Sequence, residues 1–108
     1  MSTIIQNELT HYAEQYKCIA ISTGHLSPDD LGRLYRIVSA GNCNMVMERD
    51  TGFFVKLYGV NVDVPEHFLG MSDHFNDLLR QVALAGYLLV EFDCDAQVYS
   101  CLPVFSHD

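Results

Sequence analysis

A chain of 108 residues and 12.2 kDa has room for one domain and one core, which would bury about 65% of the surface that the unfolded chain exposes. A hydrophobic content of 49% with six phenylalanines excludes intrinsic disorder, and fourteen acidic against six basic side chains, a formal charge of -8, disfavour a surface built to hold nucleic acid phosphates. No stretch approaches the roughly 18 apolar residues that span a bilayer, and Met1 to Glu8 lacks the basic, apolar, small-residue order of a secretory leader, so the expectation is a cytoplasmic protein without membrane association.

Thr3 followed by Gln6 has the form of a capping box, and Ile5, Leu9, Tyr12 and Tyr16 recur after it at helical spacing. This predicts an amphipathic helix over residues 4–16. The run Lys17 to Ser22 has strand character and is bounded by Thr23-Gly24. Ser27-Pro28-Asp29-Asp30 is a strong helix start: a serine cap, a proline where no amide hydrogen is needed, and two carboxylates at the positive end of the dipole. Leu31, Leu34, Tyr35 and Val38 form its apolar stripe, and Gly41 stops it.

Cys43 to Tyr58 carries the clearest local signal in the chain. Two strand-like runs flank Arg49-Asp50-Thr51-Gly52, which predicts a hairpin whose glycine supplies a positive φ. In the second run Phe53, Val55 and Leu57 share a core face, while Phe54, Lys56 and Tyr58 share the other. Gly59 to Gly70 reads as an irregular connection with Pro65 and a single turn at Glu66-His67-Phe68. Ser72 and Asp73 open a third helix with the stripe Phe75, Leu78, Leu79 and Val82, closed by Gly86. Tyr87 to Asp93 is the most continuous strand, its faces dividing into Leu88, Val90 and Phe92 against Tyr87, Leu89, Glu91 and Asp93. After Asp95-Ala96 the chain is expected to turn back, with Pro103 confining Val98 to Phe105 to an edge or an extended tail.

The order strand, helix, strand, strand, helix, strand is that of the ferredoxin-like split βαββαβ unit, an α+β fold with an antiparallel sheet and helices on one face. The expected organisation is a single domain over 1–108, comprising an added N-terminal helix (1–16), the core (17–94) and a C-terminal hairpin arm or tail (95–108). The sheet face carrying Phe54, Tyr58, Val46 and Leu89 would then lie away from the two crossover helices. A patch of that size needs a cover, supplied by the N-terminal helix, a second subunit or a partner.

Few residue patterns carry chemistry. Gly52-Phe53-Phe54-Val55 is a poor match to the aromatic strand of an RNA-recognition motif: Thr51 stands where a basic residue belongs, the aromatic spacing is one short, and the domain is acidic. Glu91, Asp93 and Asp95 alternate along one side of a strand, a row of oxygens that could hold a hard divalent cation, although a solvated acidic face gives the same pattern. Ser22-Thr23-Gly24-His25 sits where the first strand hands over to a helix, which makes His25 a candidate acid-base group with Asp93 as its orienting acid. Cys18, Cys43, Cys94 and Cys101 show no ligand spacing and are expected to be buried thiols. Phosphate-loop and dinucleotide glycine patterns are absent, and no cofactor is expected.

Ser22-Thr23-Gly24-His25-Leu26, Gly52-Phe53-Phe54-Val55, Ala85-Gly86-Tyr87 and the ending Asp93-x-Asp95-x-x-x-Tyr99-x-x-Leu102-x-x-Phe105 together resemble a family of small uncharacterised bacterial proteins encoded in accessory regions of plasmids, prophages and integrated elements. The similarity spans about residues 17–106. This chain has Ala96 where the family usually shows glycine, and Ser106-His107-Asp108 in place of an Asp-Trp end. The resemblance implies a genomic setting, one whose proteins commonly counter host defence, regulate element transfer or accompany toxin-antitoxin genes.

Three expectations follow. The first is an acidic non-catalytic binding protein that inhibits or modulates a basic, nucleic-acid-handling host protein through Glu48, Phe54, Tyr58, Glu91, Asp93 and Asp95, without touching nucleic acid itself. The second is a small enzyme, with or without a metal, using His25 and the Glu91, Asp93, Asp95 row. The third is a structural homodimer paired through the hairpin or the open sheet face.

Overall fold

In the computed structural model, which describes residues 2–11, 15–41, 43–57, 68 and 70–106, the two core helices begin where a serine supplies the missing acceptor. Ser27 Oγ accepts the Asp30 amide at 3.1 Å at the start of α2 (Pro28–Ala40), and Ser72 Oγ accepts the Phe75 amide at 3.1 Å at the start of α3 (Asp73–Leu84). Gly41, at φ 72°, closes α2 in the left-handed region that glycine enters without penalty. The stripe Phe75, Leu78, Leu79 and Val82 of α3 is buried as the spacing predicts. In α2 Leu34 is fully buried, whereas Tyr35 lies half exposed with its ring edge-on to Phe53, centroids 4.8 Å apart.

The strands are β1 (Lys17–Ser22), β2 (Val46–Arg49), β3 (Gly52–Lys56) and β4 (Tyr87–Asp93). The class is α+β, with the strand and helix succession of the split βαββαβ unit and an additional N-terminal helix α1 (Ser2–His11). The sheet itself differs from the antiparallel one expected. Its order is β1-β4-β3-β2, with β4 antiparallel to β3 and parallel to β1, so the sheet is mixed. Succession along the chain does not specify which strands become neighbours, and here β4 takes the place beside both β1 and β3.

Ile21, Phe53, Val55, Val90 and Phe92 of the sheet meet Leu34 of α2 and the α3 stripe in one core. Phe75 and Phe92 stand 6.0 Å apart between ring centroids, and Phe68 adds a third ring at 5.9 Å from Phe75. Burying each of these phenylalanines contributes roughly 2–3 kcal/mol from area alone.

Two expected face assignments change because register, rather than alternation alone, decides them. Val46 pairs with Val55, so it faces the core and Met47 takes its place beside Phe54 on the open face. At the start of β4 a register shift sets Lys17 opposite Tyr87 and Cys18 opposite Leu89. The extra residue in β4 turns Tyr87 toward the core and leaves Leu88 exposed.

Helix α1 ends earlier than the expected residue 16, and it does not cover the open face: its Ile4, Ile5 and Leu9 are themselves exposed. Cys18, Cys94 and Cys101 are exposed free thiols rather than buried ones, because Cys18 lies on the open face of an edge strand and the other two lie in turns. The turn expected at 66–68 and the residue Tyr58 fall outside the described residues, Phe68 excepted, which is buried.

Gly52 has a different role from the one expected. The positive-φ glycines among the described residues are Gly41 and Gly86, so Gly52 is not a left-handed turn residue. It stands in β3 opposite Asp93, where a Cβ would collide with the Phe92 carbonyl and crowd the Asp93 Cα. The constraint is close backbone approach. Gly52→Ala is therefore expected to lose more than about 3 kcal/mol of stability or fail to fold, measured by urea denaturation.

Asp30 joins the two helix starts. Fully buried, its carboxylate accepts the Ser72 amide at 2.9 Å, the Ser72 hydroxyl, and Arg33 at 3.2 Å. Burial, the largest single influence, pushes its pKa up, but hydrogen bonds from the Ser72 side chain and amide, with Ser27 and Arg33, outweigh it and hold the carboxyl below the ordinary 3.8. A depressed folded-state pKa stabilises the fold above the unfolded value, and that contribution is lost as pH falls through the folded one. Asp30→Asn should lower stability at pH 7 by about 1–3 kcal/mol and flatten the decline below about pH 4, read from urea melts across pH 2–7.

Candidate functional site

His25 closes the short 3-10 turn Thr23–His25 that follows β1, and its side chain is completely buried. The ring nitrogens are both committed to main chain of the C-terminal segment. The Tyr99 N–H donates to Nε2 at 2.8 Å, which assigns the proton to Nδ1, and Nδ1–H donates to the Pro103 carbonyl at 2.8 Å. The imidazole thus ties residues 99–103 to the end of β1. Around it Phe105 N–H donates to the Gly24 carbonyl at 2.9 Å, Ser22 N–H to Gln97 at 3.2 Å, and the Tyr99 hydroxyl to Ala20 at 3.0 Å. His74 of α3 donates its Nε2–H to the His25 carbonyl at 2.9 Å and stacks its ring edge-on to Phe105. Residues 97–105 are thereby held along the outer edge of β1 without forming a strand.

Asp93 belongs to another cluster. Arg49, Gly52 and Asp93 stand in one row across β2, β3 and β4. The Arg49 guanidinium donates to Asp93 Oδ2 at 3.1 Å, pairs with Glu91, and lies 5.6 Å over the Phe54 ring. Thr51 donates its hydroxyl to Asp93 Oδ2 at 2.9 Å, and the Asp95 amide donates to Oδ1 at 2.8 Å. The Asp95 amide first, then the Thr51 hydroxyl and Arg49, hold the Asp93 carboxyl below its ordinary value against the opposing effect of partial burial.

Of the residues expected to act together, the structure groups Phe54, Glu91 and Asp93 around Arg49, with Asp95 just beyond in the next turn. Glu48 pairs with Phe53, so it lies on the helix-side face of an edge strand, apart from them. His25 and Asp93 have no hydrogen-bond partner in common: the histidine serves the C-terminal segment and the carboxylate serves the hairpin. The acidic row is reorganised too. Glu91 turns to Arg49, and among the described residues the potential ligand atoms lying within 4.8 Å of one another are those of Asp93, Cys94 and Asp95.

Arg49 and Thr51 were not singled out from the sequence, although a hairpin turn at 50–51 placed Arg49 opposite Gly52. What sequence could not supply was the third strand, whose register sets Asp93 in the same row. Also unforeseen is a cleft between α3 and the C-terminal segment. It has an apolar chamber of about 170 Å³ and an adjoining one of mixed lining, about 230 Å³, with Leu78, Gln81, Cys101 and Leu102 common to both walls.

This is a small α+β domain: a mixed four-stranded sheet with two helices on the core face and a C-terminal segment fastened across its edge by a histidine. The chain belongs to the family of unknown function DUF5983, whose C-terminal domain matches residues 18–107. That span closely follows the range of the sequence resemblance and leaves α1 outside. No curated protein and no solved structure matches the chain. Among the described residues no helix is long and apolar enough to cross a membrane.

His25→Ala should cost about 2–4 kcal/mol, since it leaves the Tyr99 amide and Pro103 carbonyl without partners around a vacated volume. Hydrogen exchange at Tyr99 and Phe105 should accelerate in the same variant, a change that a solely catalytic histidine would not produce.

Proposed function

We propose that this domain is an acidic, non-catalytic binding protein of a bacterial mobile element, acting in the cytoplasm to modulate a basic, nucleic-acid-handling host protein. The observation that carries this reading is the division of labour among the polar groups. His25, Asp30 and Asp93, the groups best placed to do acid-base work, spend their hydrogen bonds on holding the fold. Glu48, Asp50 and Asp95 are exposed, and none of them is a member of the ion pairs formed among the described residues. The hairpin turn and the turn after β4 are joined by the Cys94 amide donating to the Thr51 carbonyl at 2.9 Å, so Asp50 and Asp95 stand at the same end of the sheet.

Exposed carboxylates at one end of an acidic domain, at a formal charge of -8, attract a cationic surface and repel polyanions. They can occupy the positions that phosphates take on a nucleic-acid-binding groove. The genomic setting implied by the sequence resemblance suits a modulator of host machinery.

A charge-reversed variant, Glu48→Lys with Asp50→Lys and Asp95→Lys, alters no ion pair described above. Immobilised wild-type domain in bacterial extract should retain nucleic-acid-handling proteins at about 0.05 M salt and release them near 0.5 M, where screening is nearly complete. The variant should retain at least tenfold less. Equal retention by both, or none by either, would count against the proposal.

A further inference from the structure

The cleft between α3 and the C-terminal segment does not involve the acidic end of the sheet, and its two chambers differ in chemistry. Ile19, Ile21, Val82 and Tyr87 help wall the apolar chamber, which opens to the surface, and Leu78 and Leu102 line both chambers. At about 170 Å³ the apolar chamber has room for a single benzene ring. The Tyr99 hydroxyl is spent on the Ala20 carbonyl and its amide on the His25 imidazole, so Tyr99 presents ring rather than polar groups.

The second chamber, about 230 Å³, is bounded by His74, Asp77, Gln81 and Pro103. Asp77 and His74 present acceptors to it, and Gln81 adds an amide that both donates and accepts. Asp77 offers a carboxylate, and His74, with Nε2–H committed to the His25 carbonyl, has Nδ1 as its remaining, accepting nitrogen. Arg80 lies 3.8 Å from Asp77, a surface pair of little energy that leaves the carboxylate able to take another cation. The two chambers together reach the lower end of the size range of small-molecule sites, about 300 Å³, with one apolar side and a few orienting polar groups. The net charge of -8 favours entry of a cation over an anion.

We propose that this cleft binds a small amphiphilic amine, an aromatic ring or short alkyl chain seated among Ile19, Ile21, Val82 and Leu102 with its ammonium at Asp77 and His74. The ring meets apolar side chains, and the ammonium supplies donors to the Asp77 carboxylate and His74 Nδ1. The His25 bonds to Tyr99 and Pro103 hold the cleft's outer wall in place, so the site is formed before the ligand arrives.

Phenethylamine and its charge-reversed counterpart phenylacetate are the probes, titrated into the full chain and followed by amide NMR shifts. Phenethylamine should saturate, with shifts concentrated at Ile19, Ile21, Val82 and Leu102 and a Kd on the order of 1 mM or tighter. Phenylacetate should bind at least tenfold more weakly. Ala85→Trp, a substitution at an exposed position on the wall of the apolar chamber, should abolish the response to both, and Asp77→Asn, on the surface of α3, should erase the tenfold preference while leaving the fold intact. No saturable shifts at those amides, phenylacetate binding as tightly as the amine, or unchanged binding in Ala85→Trp would each overturn the proposal.

Discussion

One imidazole governs how the C-terminal segment, residues 97–105, is arranged. The Tyr99 amide and the Pro103 carbonyl are four residues apart and need a donor and an acceptor that no strand partner provides. His25 supplies both, in a single tautomer, from a fully buried position at the end of β1. Backbone groups removed from water without partners would be costly, so the C-terminal segment has one place to lie. Its position then covers the edge of β1, packs Tyr99 and Leu102 against the core, and makes one wall of the cleft facing α3. The same residue that suggests catalysis in the sequence is thus the fastening of the fold.

Electrostatics follow a similar economy. The chain has six bases, and among the described residues Arg33 pairs with Asp30, Arg80 loosely with Asp77, and Arg49 with both Glu91 and Asp93. Arg49 does most with one group, since it neutralises the middle of the acidic row and covers the Phe54 ring. The open sheet face is therefore less apolar and less negative than its sequence suggests, and the negative charge is displaced to the turns at its end. Asp30 shows the opposite case, a buried carboxylate kept ionised by hydrogen bonds from the start of α3, so that two helix N-termini are fixed relative to one another.

The sequence by itself determined the local elements. Serine caps, the proline at the start of α2, stop glycines and apolar spacing specify structure through neighbours a few residues away, and the core helices and all four strands fall close to where those signals place them. The core face of β3 and the stripe of α3 were legible for the same reason, because periodicity is a local property. The α+β class follows from the order of the elements.

Only the tertiary structure decided which strands are neighbours and in which register. Strand order fixes that β4 runs parallel to β1, and register fixes that Val46 faces inward, that Tyr87 replaces Leu88 against the core, and that Arg49 meets Asp93 across an intervening glycine. Gly52 illustrates the difference: a glycine beside a turn suggests a positive φ, but whether another backbone passes within reach of its Cα depends on a strand forty residues away. His25 does so as well, since the sequence gives a histidine beside hydroxyls in a loop, and only the return of the chain some seventy-five residues later brings the partners that make it structural.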